Sequence, residues 1–151
     1  MPSILPGHLY TFAALLAVSS LLVFSFMVYA GTARASSEIK LLSKLLDYVA
    51  ADASELLNIV LTVNATIERY LQMPSAIGNQ QYWLRLCNDS SSAWVKGGLG
   101  TTPIEGSELK AYLSKEVIAS GSYMSGYGSA KLTCFLDDGV PRLQLSNANG
   151  D

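Results

Sequence analysis

The sequence predicts an α+β fold in which a long N-terminal α-helix, hydrophobic and then amphipathic, packs on a small antiparallel β-sheet head. Three observations carry that prediction. Leu9–Ala30 runs 22 residues without a charge, enough to cross a hydrocarbon core of about 30 Å at about 1.5 Å per residue. From Ile39 onward apolar residues recur at spacings of three and four, at Leu42, Leu46, Val49, Ala53, Leu56, Val60, Val63, Ile67 and Tyr70, the signature of an amphipathic helix. From Gln81 the pattern becomes strand-like, with polar and glycine-rich turns between short apolar runs.

Two prolines and a glycine in Met1–Gly7 place the helix start at His8 or Leu9. Gly31 costs the helix about 1 kcal/mol relative to alanine without ending it, and a bend there is compatible with one helix. That helix is predicted to end near Met73, because Pro74 disfavours helical geometry in the residue before it. The resulting segments are a short leader or N-terminal segment (1–8), a transmembrane or filament-core helix (9–30), an amphipathic stem (31–73) and a β-rich head (79–151). Leu41, Leu45, Leu57 and Leu61 widen the stem's apolar face, which suits burial against a sheet on one side and neighbouring helices on another.

In the head, Gln81–Cys87 and Ala93–Lys96 read as strands of a hairpin joined by Asn88–Ser92. Lys96–Gly106, with four glycines and a proline, reads as an exposed loop. Ser107 is a candidate cap for a short helix carrying Leu109, Tyr112, Leu113 and Val117 on one face. Ser120–Ser129, rich in glycine, serine and tyrosine, reads as a flexible surface loop. Asp137-Asp138-Gly139 between Lys131–Leu136 and Val140–Leu145 is a hairpin signal, and Pro141 places the second strand at a sheet edge.

Span and stem use about half of the 151 residues, leaving roughly 80 for a head whose stability depends on packing against the stem. With 15% charged residues, a net charge of −2 and no Lys/Arg cluster, nucleic acid is excluded as a partner class. Cys87 and Cys134 could pair in an oxidising compartment, closing a loop worth about 4 kcal/mol by chain entropy; the alternative is two buried free thiols. Two cysteines and a distant His8 supply no metal site.

Asn64-Ala65-Thr66 and Asn88-Asp89-Ser90 are glycosylation sequons, which favour a head outside the cytoplasm. The charge pattern does not add to this, since Arg34, Lys40 and Lys44 follow the span and no Lys or Arg precedes it. Val28-Tyr29-Ala30 and Ala33-Arg34-Ala35 resemble signal-peptide cleavage sites. The missing basic n-region and the 22 uncharged residues fit a retained anchor better.

No acid, base or nucleophile arrangement stands out, so no catalytic residue, cofactor or enzymatic activity is expected. Asp137-Asp138 reads as a turn rather than a catalytic dyad. Gly121–Gly128 lacks the Gly-Lys-Ser/Thr ending of a phosphate loop.

The order of parts resembles the type IV pilin superfamily, which includes archaeal pilins, archaellins and pseudopilins of secretion machines. Such proteins have a short leader, a hydrophobic helix, its amphipathic continuation and a small β-rich head that often bears a disulfide. The resemblance implies a structural subunit of an extracellular filament, with the chain itself or related subunits as partners and membrane lipid around the helix before assembly. It also implies a location at the cell membrane and extracellular surface with the head outside. Gly7 would close the leader and His8 would begin the mature chain. Phe12 then stands where bacterial members place a glutamate, and the leader lacks Lys and Arg. Phe12, Leu16, Leu22, Phe26, Leu42, Leu46, Val49, Leu56, Val60 and Val63 are the expected assembly-helix residues. The alternatives are a single-pass membrane protein with an extracytoplasmic interaction domain, and a secreted domain released after Ala30 or Ala35.

Overall fold

The computed structural model describes residues 4–104, 106–113 and 117–148. Helix α1 spans Ile4–Val63, beginning earlier than the expected His8 or Leu9. Pro6 falls in the first helical turn, where backbone N–H groups have no intrahelical partner and a missing one costs nothing. Gly31 does not interrupt the helix.

The expected helix through Met73 is corrected at its C-terminus. Asn64 adopts φ 53° and its N–H donates to the Val60 carbonyl at 2.8 Å. Asparagine tolerates this left-handed conformation better than most side chains, and it ends a helix in the way glycine does. Ile67 and Tyr70, which continue the apolar spacing by coincidence, belong to a strand. The chain continues as β1 (Ile67–Leu71), β2 (Tyr82–Asn88), β3 (Ala93–Leu99), β4 (Leu109–Tyr112), β5 (Ile118–Met124), β6 (Ser129–Asp137) and β7 (Val140–Ala148).

These strands form one sheet in the order β1-β6-β7-β5-β2-β3-β4. Its pairings are antiparallel except β5 with β7, which is parallel with Ile118 opposite Arg142 and Gly121 opposite Leu145. The architecture is therefore α+β, with a helix packed on a mostly antiparallel sheet. By its internal contacts the chain divides into a unit up to Ser37 and a unit from Glu38.

In the unit from Glu38, α1 buries Leu42, Leu46, Val49, Ala53, Leu56, Leu57 and Val60 on one face. They join Tyr82, Leu84, Leu86, Val95, Leu132, Cys134, Leu143 and Leu145 in one core. Strand alternation sends those sheet residues to the helix side and their neighbours outward. Close approach depends on Gly97, where a Cβ would lie 2.8 Å from the Trp83 carbonyl and 3.2 Å from a Leu46 methyl. Arg69 of β1 ties the sheet to the helix, its guanidinium donating to Asp52 at 2.6 Å and Glu55 at 3.3 Å.

Both expected hairpins form. In β2–β3, the Asp89 carboxylate accepts the Ser91 and Ser92 backbone N–H groups at 2.8 and 2.7 Å, and these bonds hold its pKa below the usual carboxylate range. In β6–β7, Asp137 pairs with Val140 across Asp138 and Gly139, whose φ values of 51° and 81° suit a two-residue turn of the mirror-image type.

Three further expectations are corrected in the strands. Lys96–Leu99 lies in β3, with Gly97 and Gly98 buried, so the loop begins at Gly100. Leu109–Tyr112 is a strand rather than a helix, because Ala111 turns inward opposite Val95 while its neighbours turn outward. Ser120–Met124 belongs to β5 rather than a surface loop. Gly121 there has φ +101°, and any Cβ would collide with the Leu145 carbonyl, so glycine serves close strand contact instead of flexibility.

Pro141 does not mark an edge, since β7 lies between β6 and β5. A two-residue hairpin makes Asp137–Val140 the hydrogen-bonded pair, so the next pair, Leu136–Pro141, requires no N–H from the proline. The β5 pairing starts only at Arg142.

Candidate assembly surface

The unit up to Ser37 carries the feature that most needs explanation. Each described side chain from Pro6 to Tyr29 is exposed, including Phe12 at 61%, Leu22 at 67% and Phe26 at 72%. Leu16 is exposed as well. The apolar residues encircle the helix, a pattern that belongs to a membrane span or a helix packed on several sides.

Three of its hydroxyls are satisfied by its own backbone. The hydroxyls of Thr11, Ser20 and Thr32 donate to the carbonyls of Gly7, Leu16 and Tyr29 at 2.9, 2.7 and 2.9 Å. Such returns to the helix backbone let serine and threonine sit in an apolar medium. Tyr10 and Tyr29 bracket the segment about 28 Å apart along an ideal helix, close to the thickness of a hydrocarbon core. Tyrosine favours both membrane interfaces, where its ring is buried and its hydroxyl wet. The helix is thus long and apolar enough to cross a membrane. Gly31 leaves a shallow dip on its surface between Met27 and Arg34.

The expected assembly residues separate into two groups. Phe12, Leu16, Leu22, Phe26 and Val63 are exposed, whereas Leu42, Leu46, Val49, Leu56 and Val60 are buried in the head's own core. The second group therefore faces the chain's own sheet and not neighbouring helices. Gly7 and His8 lie inside α1, while residues 1–3 of the expected leader lie outside the described residues.

Cys87 and Cys134 are free thiols, so the expected disulfide is corrected. They stand on β2 and β6, which are separated by β7 and β5, a gap of about 14 Å at the usual strand spacing and far beyond disulfide reach. Cys134 also points to the core and Cys87 to the opposite face. Burial pushes the Cys134 thiol pKa up.

The two sequons differ in setting. Asn64 is exposed beyond the helix end. Asn88 accepts the Ala119 N–H at 3.2 Å and donates to the Asp89 carbonyl at 3.4 Å.

Several further side chains serve the fold. Asp137 pairs with Arg142 at 2.8 Å. Ser125, fully buried, accepts the Tyr82 N–H at 2.9 Å, and the Tyr82 hydroxyl donates to the Pro74 carbonyl at 2.7 Å. Burial first, and then proximity to Tyr123, pushes the Tyr82 pKa above the ordinary tyrosine range. Among the described residues no three His, Cys, Asp or Glu side chains gather as a metal site would require.

Sequence reasoning missed the Arg69–Asp52 tie. The cue was present in Ile67-Glu68-Arg69-Tyr70-Leu71, a β-branched and aromatic alternation set just after an asparagine. In comparisons with known proteins, the chain matches no family model, no curated protein and no solved structure.

Proposed function

We propose that this chain is a structural subunit of a type IV pilus-like extracellular filament, held in the membrane by its N-terminal helix before assembly and joined to other copies through it afterwards. The observation that carries this reading is the contrast within α1. From Leu42 to Val60 the helix buries its apolar face in its own head, while the residues from Pro6 to Tyr29 leave every face uncovered. Exposed apolar surface on that scale calls for a cover of lipid or protein.

Covering more than about 1,000 Å² of it would contribute about 25 kcal/mol or more against water at about 25 cal/mol per Å². Against lipid the gain is small, because lipid tails are as apolar as leucine. Moving the helix from membrane to filament core therefore depends on tight packing and on work done by an external machine. In this reading the heads form the outer surface, Asn64 and Asn88 are candidate glycan sites, and Gly7–His8 is the candidate processing bond. The role is mechanical rather than catalytic.

A single-pass anchor is the second reading, favoured by the match between the Tyr10–Tyr29 interval and a bilayer. Electron microscopy of filaments sheared from native cells, with mass spectrometry of the subunit's N-terminus, separates the two. Filaments containing this chain, beginning at His8, are expected. Protein found only in membranes with Met1 intact would overturn the filament reading and leave the anchor.

A further inference from the structure

The outer face of β2, β3 and β4, turned away from the helix, carries an unusual charge arrangement. Arg85 is the register partner of Lys96, and Lys96 of Lys110, so three cations stand in one row across three strands. Like charges directly opposite one another destabilise a sheet. Elsewhere the fold avoids this: Lys131 pairs with Glu68 at 2.7 Å, Arg142 with Asp137 at 2.8 Å and Arg69 with Asp52 at 2.6 Å.

Among the described residues only the middle charge of the row has an acidic partner, Lys96 reaching Glu108 at 3.0 Å. Arg85 is exposed and has no ion pair among the described residues. Lys110 lies 5.8 Å from the ring centre of Trp94. Trp94 in turn contacts Tyr112 with ring centres 6.0 Å apart and planes at 54°. Tyr112 is 65% exposed. Two cations with no acidic partner among the described residues thus stand two strand spacings apart, about 10 Å, beside an accessible aromatic ring.

We propose that this face binds an anionic polysaccharide of the polyuronate type. Arg85 and Lys110 take carboxylates on separate sugars, Arg85 through its planar guanidinium. Tyr112 covers the apolar C–H face of a sugar ring between or beside them, a rigid contact with little side-chain entropy to lose. A nucleic acid fits less well: phosphate-chain affinity grows with the number of charges neutralised, and this face offers two cations without an acidic partner among the described residues, on a chain of net charge −2. The proposal stands whether or not the chain forms filaments.

The test uses the full chain in neutral detergent micelles, titrated against polygalacturonate, neutral dextran and single-stranded polyuridylate. Binding of polygalacturonate, absence of dextran binding and weakening by salt are expected. Arg85→Gln with Lys110→Gln lowers affinity about tenfold or more and melts no lower than the parent, since it relieves repulsion. Tyr112→Ala weakens binding with all charges kept, whereas Lys40→Gln with Lys44→Gln, an equal change in net charge, leaves it unaltered. Absence of polygalacturonate binding, equal weakening by both double variants, or tighter binding of polyuridylate would each overturn the proposal.

Discussion

Gly121 and Gly100 share a positive φ, +101° and +93°, but not their surroundings. A Cβ at Gly121 meets the Leu145 carbonyl, and one at Gly100 meets nothing within 4 Å. Gly121→Ala therefore adds a backbone collision to the conformational strain, while Gly100→Ala adds strain of about 1 kcal/mol alone. Thermal melts should show a clearly larger loss for Gly121→Ala; equal losses would place β5 wrongly against β7. Leu56, fully buried, should lose about 2 to 5 kcal/mol on substitution by alanine in denaturant titration. Exposed Asn58→Asp should change stability little.

Asp89 gives a pH dependence of defined sign. Its folded pKa is depressed by the Ser91 and Ser92 N–H bonds, so its contribution is present above the unfolded value near about pH 4 and disappears as pH falls through the folded one. As pH falls from the unfolded value to the folded one, the parent should lose melting temperature more steeply than Asp89→Ala, and parallel pH profiles would remove the turn's role. At this scale the sequence is readable where a residue's need is local. Asp138-Gly139 announces its turn because left-handed geometry selects those residue types. Gly121 does not announce its role, since a glycine placed for close strand approach and one placed for looseness are the same letter.

Among the elements, the amphipathic stretch of α1 and the two hairpins were legible, each written in a period of its own. The helix end and β1 were not, because Ile67 and Tyr70 extend the helical spacing while Asn64 supplies the stop. β4 was read as a helix for a similar reason: four residues are too few for alternation to outvote a capping serine upstream. The pairing of β5 with β7 depends on sequence-distant contacts and left no local trace, so Pro141 was misjudged as an edge signal.

The same topology removes the expected disulfide, with a direct consequence. In the folded protein a thiol reagent should modify Cys87 and spare Cys134 until denaturant is added, and a reducing agent should not lower the melting temperature. A non-reduced mass two hydrogens lighter would contradict the strand order itself. Arg69→Gln should destabilise the head by about 1 to 3 kcal/mol in denaturant titration, because it leaves the largely buried Asp52 carboxylate without its partner.

For the whole molecule, the apolar segment was the most legible part and the purpose of its exposure the least. Composition shows that Leu9–Ala30 avoids water, but lipid and other copies of the helix offer nearly the same solvent, so no pattern of leucines and phenylalanines distinguishes them. The head's own sheet claims Leu42 to Val60, which leaves Phe12, Leu16, Leu22 and Phe26 as the residues on which assembly would depend. Leu22→Asp should prevent membrane insertion and assembly together, at a cost of about 2.5 to 3.5 kcal/mol near the middle of a span, measured by membrane fractionation.

The most direct measurement places a photo-crosslinking amino acid at Phe26 in the native host and compares membrane and extracellular fractions. The filament account expects crosslinks between the 9–30 segments of two copies in the extracellular fraction, mapped by mass spectrometry. Crosslinks confined to lipid, with no copy-to-copy product outside the cell, would contradict it.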